Sequence, residues 1–120
     1  MRESKTTNPE IIQLIRNLKK QSREKDAKIW LDVAKYLSKP SRQRIAVNLS
    51  QINRNTVDNE VILVPGKVLA SGILDHIVTV AAFDASAQAK EKIAAAKSKY
   101  LSIAELMEQN PTGSNVKIIG

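Results

Sequence analysis

The chain has 120 residues, 42% of them hydrophobic and 26% charged, with 19 Lys and Arg against 12 Asp and Glu, one His and no Cys. Its length suits one domain, 1–120, of folded globular composition. The missing thiols exclude a disulfide scaffold, a cysteine nucleophile and Cys-based metal sites, and no apolar run approaches the roughly 18 residues of a membrane helix.

Residues 1–7 read as a polar arm. Thr7 or Asn8 is placed to cap a helix opened by Pro9 and Glu10, whose apolar stripe is Ile11, Ile12, Leu14, Ile15 and Leu18 and whose pattern fades around Arg23–Asp26. A second amphipathic helix is expected over 28–38, with Ile29, Trp30, Val33, Ala34 and Leu37 inward and Pro40 as its stop. Arg42 and Arg44 lie in an extended stretch leading to Ala46-Val47-Asn48, and Ser50 is read as the cap of a single turn from Gln51 to Asn55. After the polar turn Thr56–Glu60, Val61–Val64 reads as a buried strand ended by a Pro65-Gly66 turn. Val68-Leu69-Ala70 then pairs nearby, and Gly72 marks the next break. Ile77–Phe83 is the strongest strand signal. A helix follows over Ser86–Ala96, then Ser102-Ile-Ala-Glu105 as a capping box for a last helix ended by Pro111, and Val116–Ile119 as an edge strand. The order is two basic helices followed by a mixed α/β body.

The charge is one-sided. Residues 1–54 hold thirteen Lys and Arg against five acids, a net +8, and 55–120 hold six Lys against seven acids, a net −1. Every Arg lies in the first part. With Ile11 at zero and about 100° per residue, Lys19, Arg23, Arg16 and Lys20 fall at about 80°, 120°, 140° and 180°, beside the apolar stripe. Arg16/Lys20 and Lys19/Arg23 are like-charged i,i+4 pairs, each mildly destabilising to a free helix, which favours an external phosphate partner over a basic face kept only for solubility. The stretch Arg42–Arg54 interleaves forked cations with Asn48, Ser50 and Asn53, groups suited to phosphate, 2′-hydroxyl and base edges or, in the plainer reading, to turns and caps. There are only four aromatics, and Trp30 and Phe83 fit core positions, so stacking platforms for single strands are lacking.

Catalytic readings are weak. His76 follows Asp75 without an indicated third member, Ser22-Arg-Glu-Lys25 matches S-x-x-K with no companion motif, and Gly66-Lys67 lacks the earlier glycine of a phosphate loop. Asp58/Glu60 and Glu105/Glu108 lack the spacing of a metal cage. The residues point to no enzyme, no cofactor and no small-molecule substrate.

Several blocks, in order from about residue 5 to 119, resemble the large-subunit ribosomal proteins of the L18e family, archaeal and eukaryotic relatives of L15. They are Thr7-Asn8-Pro9-Glu10, Ile29-Trp30, Val47-Asn48-Leu49-Ser50-Gln51-Ile52-Asn53-Arg54, Val64-Pro65-Gly66-Lys67-Val68-Leu69, Val78–Phe83 and Asn110-Pro111-x-Gly113. The resemblance implies an archaeal, cytoplasmic ribosomal component that binds folded large-subunit (23S-type) rRNA beside neighbouring ribosomal proteins. It also implies an α/β fold, an irregular β-β-α superhelical body carrying two basic N-terminal helices. Its RNA-contact expectations fall on Arg42, Arg44, Asn48, Ser50, Asn53, Arg54 and Lys67, to which the charge reading adds Arg16, Lys19, Lys20, Arg23 and Lys28. In place of the family's Gly-Gly break after the penultimate helix stands Ala95-Ala96-Lys97-Ser98, so a longer helix with a different exit is expected. The alternative function is a small basic chromosomal DNA-binding protein, for which the chain offers no recognition helix or dimer signature.

Overall fold

The computed structural model describes residues 9–39 and 45–120. The arm, the Thr7/Asn8 cap, the Pro40 stop and the stretch holding Arg42 and Arg44 lie outside these residues. Pro9 opens α1 (Pro9–Lys25), and α2 (Lys28–Leu37) turns back beside it. Then follow β1 (Ile45–Asn48), the short helix α3 (Leu49–Arg54), β2 (Val61–Leu69) and β3 (Thr79–Ala85). The chain ends with α4 (Ala87–Ala95), β4 (Lys99–Ser102), α5 (Ile103–Gln109) and β5 (Val116–Ile118).

The strands form one parallel sheet in the order β1-β2-β3-β4, and β5 also pairs with β2. Beta-1 takes the second half of the β2 edge (Ile45↔Gly66 to Asn48↔Leu69) and β5 the first half (Val61↔Val116 to Leu63↔Ile118). Parallel neighbours require crossovers. Alpha-3, the loop 70–78 and α4 supply them, and all three bury residues in the same cluster as Ile62, Val64, Val80 and Ala82. The chain therefore winds as successive turns of a superhelix over one face. The other face, through Leu63 and Ala81, is covered by Trp30, Val33 and Leu37 of α2, Leu18 of α1, and Ile103, Leu106 and Met107 of α5. The expected α/β class is the observed one.

Four details differ from the expectations. Pro65-Gly66 does not end the strand: β2 runs through it, and the register with β3 slips between Val64 and Lys67. A proline cannot donate to a ladder and is tolerated in a central strand at a bulge. Gly66 is required there because a Cβ would overlap the Ile45 carbonyl oxygen. Second, Asn48 rather than Ser50 holds the cap position of α3, and Ser50 sits inside the helix with its N–H donating to Ser71 O at 3.0 Å. Third, the helix after Ser86 does not run on. It closes at Ala95 in a Schellman motif, with Ser98 N–H donating to Ile93 O (3.0 Å) and Lys97 N–H to Ala94 O (2.9 Å). The left-handed residue is Lys97, φ 62°, where glycine is usual. Fourth, Lys99–Ser102 forms β4, a strand too short and too polar at its start to stand out from sequence.

The capping box is present: Ser102 Oγ accepts from Glu105 N–H (3.1 Å) and Glu105 Oε1 accepts from Ser102 N–H (2.8 Å). Ile12, assigned to the apolar stripe of α1, is 38% exposed, whereas Ile11 and Leu18 are buried. Lying about 100° from Ile11, it falls on the stripe's margin. Trp30 is fully buried and its Nε1 donates to Pro111 O at 2.8 Å, tying α2 to the α5–β5 loop.

Gly66→Ala should lower unfolding stability by about 2–3 kcal/mol, because the clash is with backbone in a three-stranded junction. Urea unfolding followed by Trp30 fluorescence checks this, and a loss below about 0.5 kcal/mol would mean that the β1–β2 junction yields.

Candidate nucleic-acid interface

Arg16, Lys19, Lys20 and Arg23 are all exposed on α1. Alpha-5 lies beside one flank of the helix, where Gln21 Nε2 donates to Pro111 O (3.1 Å) and Lys20 lines the cleft between the two helices with Met107 and Glu108. Lys20 approaches Glu24 at 4.0 Å, a solvated i,i+4 pair that contributes little. Among the described residues Arg16, Lys19, Arg23, Lys28, Arg54 and Lys67 make no ion pair or hydrogen bond through their side chains. Arg23 falls in the last turn of α1, where the helix dipole favours a cation, and needs no further reason to be there. Lys28 is the reverse case. It heads α2, whose first turn holds no acid, so an ammonium sits at the positive end of the dipole.

The second expected contact segment is placed elsewhere. Asn48, Ser50 and Asn53 are half-buried and Arg54 is exposed, on the α3 side of the sheet, the face opposite α1 and α2. Asn53 has a structural task, its Oδ1 accepting from Asp75 N–H at 3.0 Å. Lys67 is exposed, in register with Ala46 and Asp84. Among the described residues, the basic ones of 1–54 thus do not form one front; the row on α1 and Arg54 on α3 belong to opposite layers.

The two layers meet at the amino-terminal edge of the sheet. There Val116, Val61, Thr79 and Lys99 open their strands in one cross-strand row. The end of α1 and the start of α2 reach this edge through Gln21 and Trp30, both bonded to Pro111 O just before β5. The end of α3 reaches it through Lys117 of β5, whose Nζ donates to Asn55 O at 2.6 Å. Sequence reasoning passed over Lys97, Lys99 and Lys117 because they are dispersed among acids in a segment with net charge −1.

His76 has the third member that the sequence did not indicate. Its Nδ1 lies 2.9 Å from Asp75 Oδ1 and its Nε2 lies 2.7 Å from Thr56 Oγ1. Thr56 is nonetheless buried and its hydroxyl donates to Ile52 O (2.8 Å), so the chain of groups latches the 70–78 loop to α3 rather than presenting a nucleophile. Among the described residues no cluster of three or more His, Asp or Glu could hold a metal ion, and no helix is long and apolar enough to cross a membrane.

The chain is similar to known proteins along nearly its whole length. The family described as ribosomal proteins 50S-L15, 50S-L18e and 60S-L27a matches residues 18–101. The large ribosomal subunit protein eL18 of Methanothermobacter thermautotrophicus is 49% identical over 119 residues, covering 99% of this chain and 98% of its own. The eL18 proteins of Methanococcus maripaludis and Methanoregula boonei are 47% identical over 99% of both chains and 48% identical over 94% of this chain and 93% of their own, respectively.

The latch has a pH signature. The hydrogen bond from His76, and then the Asn53 side chain, hold the Asp75 carboxyl below its ordinary value. A lowered folded value means that Asp75 favours folding above its unfolded value, and that this contribution is lost as pH falls through the folded one. Asp75→Asn keeps an acceptor for His76 but removes the titration. It should flatten the acid limb of the urea midpoint below about pH 4, and an acid limb identical to that of the parent chain would dismiss the latch as a contributor.

Proposed function

The chain belongs to the family of ribosomal proteins L15, L18e and L27a and is a structural constituent of the large ribosomal subunit rather than an enzyme, and on that premise we propose that it binds and stabilises folded large-subunit rRNA. The segment 1–54 supplies most of the contacts and 55–120 the mount, within one domain. Its place is the archaeal ribosome in the cytoplasm, with that rRNA and neighbouring large-subunit proteins as partners. The observation that carries this reading is the unmatched row on α1. Arg16, Lys19 and Arg23 are exposed with no internal acid partner, and the i,i+4 repulsions Arg16/Lys20 and Lys19/Arg23, offset within the helix by the solvated Lys20–Glu24 pair and by the dipole at Arg23, favour charge from outside.

Arg42, Arg44, Asn48, Ser50, Asn53, Arg54 and Lys67 are proposed as further contacts to phosphate, ribose and base edges, carried over from the family resemblance. With few aromatics to stack on bases, affinity would come mainly from backbone charge and from shape. Engagement of about eight phosphates gives a log–log salt slope near −6 to −7.

Replacing Arg16, Lys20 and Arg23 together by Gln should flatten that slope by about two units or more while leaving the far-ultraviolet spectrum and the urea midpoint intact. The binding is measured against protein-free large-subunit rRNA over a salt series, with duplex DNA as competitor. An unchanged slope would remove α1 from the contact surface, and equal competition by duplex DNA would overturn the rRNA assignment.

A further inference from the structure

The amino-terminal edge of the sheet carries cations that the charge partition assigns to the scaffold. Lys99 opens β4 at one end of the edge row and Lys117 of β5 lies near the other, with β2 and β3 between them, so the edge spans roughly 14 Å at ordinary strand spacing. Lys97 lies two residues before Lys99, with the buried Ser98 between them, and both lysines are exposed. Neither makes an ion pair or hydrogen bond through its side chain among the described residues.

Acids are present at this edge, but their oxygens serve the loops. Asp58 Oδ1 accepts from Ile77 N–H (3.1 Å), Glu60 Oε1 from Val57 N–H (2.8 Å), and Asp75 Oδ1 faces the His76 ring. They brace the turns without pairing with Lys97, Lys99 or Arg54. Val57 and Ile77, 67% and 47% exposed, lie on the same turns and add apolar surface that a bound partner would cover.

Lys97 is the informative residue. It holds the left-handed position of the Schellman motif at φ 62°, where a side chain is a cost and glycine fits without strain. Backbone geometry therefore argues for glycine there, and what the lysine adds is an ammonium group on the outside of the turn. We propose that the amino-terminal edge is a second RNA-phosphate contact, in which Lys97 and Lys99 extend the surface of Arg54 across the sheet. The inference rests on the RNA-binding reading above and adds a location to it: this edge is where the α1–α2 layer and the α3–α4 layer come together, so one RNA backbone following it touches both.

The test uses the full chain, its Lys97→Gly variant and the Lys97→Gly/Lys99→Gln double variant, each bound to protein-free archaeal large-subunit rRNA over a salt series. Lys97→Gly should raise Tm by about 4 °C and flatten the slope by about one unit. The double variant should flatten it by about two units. A steep slope in the parent chain that is unchanged in the double variant overturns this inference alone, including the case in which a neighbouring protein occupies the edge. A parent chain without salt-dependent binding overturns the RNA-binding reading itself. A Tm lowered by Lys97→Gly removes the argument that lysine stands in glycine's place.

Discussion

Strand β2 is closed on every side, and the remaining structure is arranged by that constraint. Its edges are taken by β3 on one side and by β1 and β5, end to end, on the other. Its faces are taken by two separate apolar clusters, Ile62, Val64 and Val68 in one and Leu63 in the other. A strand so enclosed reads as an uninterrupted apolar run, as Val61–Val64 does. The cost of enclosing a proline within it is absorbed by the bulge at Pro65-Gly66, where the missing side chain of Gly66 lets the Ile45 carbonyl come close.

Around that scaffold, the positively charged residues stand where local rules disfavour them. Like charges share one flank of α1, Lys28 caps the wrong end of a helix dipole, and Lys97 occupies a left-handed residue. Each departure is small by itself. Taken together they lie where sequence and fold disagree, and such disagreements concentrate at functional surfaces. At the sheet edge Asp58 and Glu60 stabilise turns and pair with neither Lys97 nor Lys99, which leaves the positive field there directed outward.

The legible part of the fold was set by short-range physics. Helical periodicity located α1 and α2, Ala- and Lys-rich composition located α4, and the Ser102–Glu105 box announced α5 because both of its hydrogen bonds lie within four residues. The illegible part depended on partners distant in sequence. Pro65-Gly66 looks like a turn until β1 and β3 hold both of its sides, and Lys99–Ser102 becomes a strand only because β3 offers it an edge. The Ala95–Ser98 exit turned on backbone closure over five residues, which the Ala-rich composition masks.

For the candidate interface the division is similar. Net charge, its confinement to residues 1–54, the flank of α1 and the family were all readable along the chain, because charge and helical angle are properties of residue order. Which cations share a surface was decided by the tertiary structure alone. The sheet interposes itself between α1 and α3, separating groups that are neighbours in sequence, and its parallel strands bring Lys97, Lys99 and Lys117 to the same edge as Arg54 from up to 63 residues away. Proximity of that kind is fixed by strand register and by which face a crossover takes, and neither leaves a mark on the charge pattern of the chain.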